Sequence, residues 1–196
     1  PAIKNFYEPF QKFEQCYVNG KLYAVVSRWG YYGIVYNSKY VDKADVESIK
    51  VMWNPKYAKK IVLFDWYLPN MGMIGRYLGY AQPYDAKAAD LKKIEDTLMT
   101  LKPQVAAIAA TNSDTIQALA NQSAWLSFGG EWLQVLLKEQ GHPIELSLPK
   151  EGGVSWTESL VILKGSKNPE AAKAFIQYVT SPEAQAILAW ADAFHA

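Results

Sequence analysis

Four consecutive apolar residues, Ile61-Val62-Leu63-Phe64, lie between Lys59-Lys60 and Asp65. A run this short and this apolar has no polar face to show to water. It reads as a strand of the parallel-sheet kind, buried on both sides and ending at Asp65-Trp66. A strand covered on both faces needs helices above and below it, and the rest of the chain supplies them.

Leu22 to Arg28 and Gly33 to Tyr36 read as strands, the second closed by Asn37. Asp45 to Met52 reads as a short helix that Pro55 keeps from extending. Pro69 suits a helix start and Gly79 a helix stop, which predicts a helix from Pro69 to about Leu78. Asp85 is an expected N-cap for a helix over Ala86 to Leu101, whose apolar face is Leu91, Ile94, Leu98 and Leu101. Asp114 to Asn121 is expected to be helical, Ala124 to Phe128 extended, Gly130 to Glu139 helical and Ile144 to Leu148 extended. Asn168-Pro169-Glu170 and Ser181-Pro182-Glu183 are matching helix starts, each with an N-cap, a proline and an acid at the positive helix end. They predict helices over Pro169 to Val179 and Pro182 to about Trp190. This alternation of strand and helix is the pattern of an α/β fold.

Composition excludes several classes. The 196 residues are 50% hydrophobic and 20% charged, with 20 basic against 19 acidic side chains and a net charge of +1. That balance leaves no footprint for a nucleic acid, and Lys59-Lys60 and Lys92-Lys93 read as solvated surface. Cys16 stands alone, so no internal disulfide forms. No apolar run has the length of a membrane helix. No nucleophile elbow, zinc-protease motif, phosphate loop or dinucleotide fingerprint occurs, and His142 and His195 have no neighbouring ligand types. Neither an enzyme, a cofactor nor a metal is expected. The 7 Trp, 13 Tyr and 7 Phe read for the most part as core or lobe surface, and a cleft rich in Trp and Tyr is what a receptor for small amines would use.

The stretch Pro149 to Leu163, P-K-E-G-G-V-S-W-T-E-S-L-V-I-L, joins a double-glycine turn to a strand. The glycines permit positive φ and close approach to a ligand. Trp156 and Glu158, two apart on a strand, face the same way and present a π-surface beside a carboxylate. This segment resembles a signature of the bacterial spermidine/putrescine-binding proteins, the extracytoplasmic solute receptors of ABC importers. Arg28-Trp29-Gly30-Tyr31-Tyr32-Gly33-Ile34-Val35-Tyr36-Asn37 resembles the outbound crossover of that family. Trp53-Asn54-Pro55-Lys56-Tyr57 resembles its W-x-P-x-Y turn and Leu78-Gly79-Tyr80 its L-G-Y helix end. Asn168-Pro169-Glu170-Ala171-Ala172 and Phe175-Ile176 resemble its final helix pair. The matches run in order along nearly the whole chain.

The resemblance implies a periplasmic-binding-protein type II fold of two lobes, with the first lobe incomplete. Residues 1–34 would be part of lobe 1 and the outbound crossover, 35–152 lobe 2, and 153–196 the return crossover and a further part of lobe 1. Relative to the family, the chain reads as a fragment without the opening of lobe 1 and the C-terminal tail. It also implies a periplasmic receptor that passes a small amine to the importer's membrane permease. A ligand-sensing effector domain of a transcriptional regulator is the alternative on the same fold class.

The implied ligand residues are Glu158 as counter-ion, Trp156, Phe128 and Trp29 as rings around the amine, and Asp65 with Trp66 beyond the end of the Ile61 to Phe64 strand. The chain departs from the family in two ways. Its W-x-E reaches one methylene further than the family's W-x-D. Trp66 and Pro69 occupy positions where polyamine binders carry further acids. A ligand with one ammonium and a different far end, such as 4-aminobutyrate, fits that loss, and Arg28 or Arg76 would then meet its carboxylate. The turn Phe128-Gly129-Gly130-Glu131 opens a helix, so it reads either as an anion site at free N–H groups or as a turn that glycine simply permits.

Overall fold

The structure is a computed structural model that describes residues 3–191; His195 lies outside the described residues. In chain order it contains α1 (Glu8–Gln11), β1 (Tyr17–Val18), β2 (Lys21–Leu22), β3 (Ala24–Asn37), β4 (Ile61–Phe64), α2 (Tyr67–Tyr77), α3 (Ala88–Met99), β5 (Val105–Ala109), α4 (Asn112–Ala120), β6 (Leu126–Gly130), α5 (Glu131–Glu139), β7 (Ile144–Ser147), β8 (Val154–Val161), α6 (Pro169–Val179) and α7 (Pro182–Trp190). The chain divides into two compact units. One is Tyr31–Ser155; the other combines Pro1–Gly30 with Trp156–Ala196. It passes between them within β3 and again within β8.

The main sheet has the order β5-β4-β6-β3-β7, with β8 also paired to β3. β4 runs parallel to β5 and β6, and β3 runs antiparallel to β6 and β7. Alternation along each strand divides the core of the Tyr31–Ser155 unit in two. Ile34, Tyr36, Ile61 and Leu63 pack with Met73 and Ile74 of α2 and Ile94 of α3. Val35 and Val62, on the opposite face, pack with Leu119 of α4 and with Leu133 and Leu137 of α5. The helices therefore cover both faces, as the apolar run at Ile61 requires.

Several sequence expectations need correction. The two strands expected over Leu22 to Tyr36 are one strand, Ala24–Asn37. It continues through Gly33 because a Cβ there would lie 2.4 Å from the carbonyl oxygen of Ser147, so only glycine admits β7 at this distance. Asp45 to Met52 is not an α-helix but 3-10 turns, Asp45–Glu47 and Ile49–Trp53. Glu151 imposes that break: its carboxylate accepts from Ser48 Oγ at 2.5 Å and from Ile49 N–H at 3.1 Å. Asp85 caps no helix; it ends the 3-10 turn Pro83–Asp85, and α3 begins at Ala88 with Asp90 accepting from Lys87 N–H at 3.3 Å. On α3, Ile94 is buried as expected, whereas Leu91 is exposed; Leu101, also buried, lies past the end of the helix at Met99. Asn168 precedes α6 without a side-chain capping bond, while Ser181 accepts from Ala184 N–H at 3.2 Å at the start of α7.

Candidate functional site

In an open sheet, ligands are held beyond the carboxyl ends of the parallel strands. In the Tyr31–Ser155 unit those ends are Phe64 of β4, Ala109 of β5 and Gly130 of β6. After β4, the Asp65 amide donates to Ala109 O at 2.8 Å and the Trp66 amide to Phe64 O at 2.7 Å. Buried Asn70 ties the turn together, its amide donating to Phe64 O at 2.8 Å and to Trp66 O at 3.1 Å. This bonding leaves the Asp65 side chain exposed and 40% of Trp66 accessible. The Trp66 ring meets Tyr32 and Phe64 edge-on, each at 6.3 Å between centroids.

Beyond β6, Gly130 pairs with Tyr32 of β3 and leads into α5. A Cβ on Gly130 would stand 2.8 Å from the Trp132 indole, so glycine lets that ring lie against the backbone. Burial, the first cause, pushes the Tyr32 phenol above its ordinary pKa, and nearby Glu131 adds to the rise. Glu131, the first residue of α5, is 8% exposed; its Oε2 accepts the Tyr31 N–H at 3.0 Å, and its Oε1 is buried with no hydrogen-bond partner. The turn thus presents an anion of its own at the helix end where an external anion was one expectation. The signal was in the sequence: an acid directly after two glycines at the end of a strand.

Phe128, expected as a ring against the ligand, lies elsewhere. β6 is buried throughout, and Phe128, 3% exposed, belongs to the core that faces α2 and α3. It sits two residues before the strand ends, too early to project past it.

The other unit carries the remaining expected residues. Glu158 is not free. Arg28 Nε donates to its Oε2 at 2.7 Å and Arg28 Nη2 to its Oε1 at 2.6 Å. The guanidinium also lies 5.9 Å from the centroid of the Trp156 ring, so Arg28 touches both residues and they share a face of β8. The hydrogen bond that Arg28 donates to Glu158 raises the Arg28 pKa above its ordinary value. Trp29, 38% exposed, packs its ring 5.9 Å from Phe10 and lines a cavity of about 410 Å³ together with Arg28 and Gln185.

The double-glycine turn is explained within the protein. Gly152 has φ +86° and its missing Cβ would sit 2.4 Å from Arg76 Nη2; a Cβ on Gly153 would sit 2.2 Å from the carbonyl oxygen of Tyr32. The close approach expected for a ligand is made by Arg76 and by β3. Arg76 is held by Tyr80 O and Ala81 O, at 3.4 and 3.1 Å. Among the described residues no cluster of His, Cys, Asp and Glu has the makings of a metal site, and no helix is long and apolar enough to cross a membrane.

A two-faced mixed sheet with aromatic and acidic side chains beyond its strand ends is the architecture of a solute-binding protein. The sequence matches the model of the bacterial extracellular solute-binding proteins over residues 1–194, and the chain belongs to that family. It is a family of binding proteins of ABC transporters, not of enzymes. More particularly, the chain is 31% identical over 163 residues to the spermidine/putrescine-binding periplasmic protein of Salmonella typhimurium, covering 82% of this chain and 45% of that one. It is 26% identical over 179 residues to the putrescine/agmatine-binding protein of Pseudomonas aeruginosa, covering 84% of this chain and 48% of that one. Among solved structures, the spermidine/putrescine ABC transporter substrate-binding protein PotD from Streptococcus pneumoniae superposes with a TM-score of 0.76 at 27% identity, over 93% of this chain and 55% of that one. The chain spans about half the length of the curated relatives it matches.

Proposed function

We propose that this chain is part of an extracytoplasmic receptor, periplasmic in location, that binds a small organic amine and delivers it to the membrane permease of an ABC importer. The observation that carries this reading is the exposed Asp65 beside the exposed ring of Trp66, itself edge-on to Tyr32, beyond the end of β4. A carboxylate beside π-faces recognises an organic cation, through charge and through the ring quadrupole. The similarity to proteins named for spermidine, putrescine and agmatine supports the same class of ligand. Trp156, Glu158 and Trp29 are proposed as further ligand-binding residues. Micromolar binding asks for about 8 kcal/mol, within reach of one desolvated ion pair and two aromatic contacts.

A zwitterion such as 4-aminobutyrate is the second reading. What favours it is the chain's own cation: Arg28 already offsets the charge of Glu158, and Trp66 and Pro69 add no acid beside Asp65. Calorimetric titration of the full-length protein with putrescine, spermidine and 4-aminobutyrate tests both readings. Tight binding of putrescine or spermidine supports a polyamine receptor. Binding of the zwitterion alone supports the second reading, and absence of heat with all three removes the amine class.

A further inference from the structure

Glu131 has an environment that the mixed sheet alone does not explain. Its carboxylate is buried, yet none of the ion pairs among the described residues includes it. The Tyr31 N–H satisfies Oε2 at 3.0 Å, and the positive end of α5 offsets part of the charge. Oε1 is left buried without a partner. A buried charged oxygen with no donor is costly and rare in a settled fold. A residue serving only to hold Tyr31 would need one acceptor and no charge, as glutamine provides.

The surroundings are those of a cation site. Glu131 follows the carboxyl end of β6, the strand beside β4. Gly130, the residue before it, pairs with Tyr32 of β3, and Trp66 meets the Tyr32 ring edge-on at 6.3 Å. Trp66 keeps 40% of its surface exposed, so one of these rings stands open to a ligand. Glu158 is a weaker choice, because Arg28 occupies both of its oxygens.

We propose that Oε1 of Glu131 accepts a hydrogen bond from the primary ammonium of the ligand, with Tyr32 and Trp66 supplying the π-faces, and that Glu131 rather than Glu158 is the principal charge partner. The inference rests on the amine-receptor reading and names the residue that fixes the ligand's charged end. A primary ammonium has the N–H that this oxygen lacks; a quaternary ammonium does not and is expected to bind less tightly.

The test is calorimetry on the full-length protein and its Glu131→Gln, Glu131→Asp and Glu158→Gln variants, with putrescine as probe and a thermal melt of each variant. Glutamine keeps an acceptor for the Tyr31 N–H and removes only the charge. The expected result is an affinity at least about ten-fold weaker for Glu131→Gln, a smaller loss for Glu131→Asp and a loss of a few-fold for Glu158→Gln. Unchanged affinity in a folded Glu131→Gln protein overturns the assignment while leaving the amine reading intact. Equal losses in the Gln and Asp variants, or a Glu158→Gln loss larger than that of Glu131→Gln, overturn it as well. If unaltered protein binds neither putrescine nor the other amines, the amine reading fails and takes this assignment with it, an outcome the variants cannot imitate.

Discussion

Arg28 and Glu158 grip each other through two hydrogen bonds of 2.7 and 2.6 Å, from neighbouring strands 130 positions apart in sequence. The pair is partly open to water, with side-chain exposures of 27% and 52%, so its contribution to stability is at most about 1 kcal/mol. Its larger effect is on what Glu158 has left to offer. Arg28→Ala should leave the melting temperature nearly unchanged and release the carboxylate. Putrescine binding by the full-length protein should then tighten a few-fold, read by calorimetry; weaker binding would mean that Arg28 itself serves the ligand.

Gly153→Ala is expected to be one of the more damaging single changes. The added Cβ meets the backbone oxygen of Tyr32 at 2.2 Å, and backbone cannot rotate away as a side chain can. A loss of about 1–3 kcal/mol follows from overpacking of this kind, measurable as a lower urea midpoint. Gly165→Ala, where nothing lies within 4 Å of the added atom, is the matched control and should be close to neutral.

Alkali should weaken the fold. Burial raises the pKa of Tyr32, Tyr36, Tyr57 and Tyr84 above the ordinary phenol value, and at Tyr57 the bond to Asp45 adds to the rise. These groups stay neutral in the folded protein after their unfolded counterparts have begun to ionise. Stability is therefore full below about pH 10 and falls as pH climbs through the raised values. Urea midpoints that hold steady up to about pH 9 and then decline would match; a rise above pH 10 would contradict the burial argument.

Cys16 is buried, 4% exposed, with its thiol 3.9 Å from the hydroxyl of Ser159. As the sole cysteine it reports on the unit that joins Pro1–Gly30 to Trp156–Ala196. A thiol reagent should react slowly with native protein and rapidly in denaturant, at a rate set by opening of that unit. Immediate stoichiometric labelling of native protein would show that the β8 contact does not persist.

The parts of the fold legible in the sequence are those fixed by neighbours a few residues away. Ile61–Phe64 is a strand because its four side chains leave no polar face, and α6 and α7 begin where proline and serine or asparagine announce them. β5 escaped notice because Val105-Ala-Ala-Ile-Ala109 is rich in alanine, a weak strand former, and three of its five residues are exposed. The 3-10 turns after Asp45 depend on Glu151, about a hundred residues away, and no local pattern contains that information. At the candidate site, the aromatic and acidic types were legible but their pairing was not. Nothing in W-x-E says that Arg28 will take both oxygens of Glu158. Nothing in F-G-G-E says that Phe128 turns into the core while Glu131 keeps one oxygen without a donor.

The division of the chain also dictates an order of assembly. Tyr31–Ser155 is a continuous segment, whereas its companion is made of two segments that this one interrupts. As the polypeptide emerges amino end first, residues before Tyr31 appear before the strand β8 that pairs with β3 has been made. At about 5–20 residues per second they wait roughly ten seconds for it. During that interval Cys16, buried in the finished protein, lacks its contact with Ser159 of β8, and β3 lacks the pairing with β8. A chaperone that recognises short apolar stretches would find them during that interval.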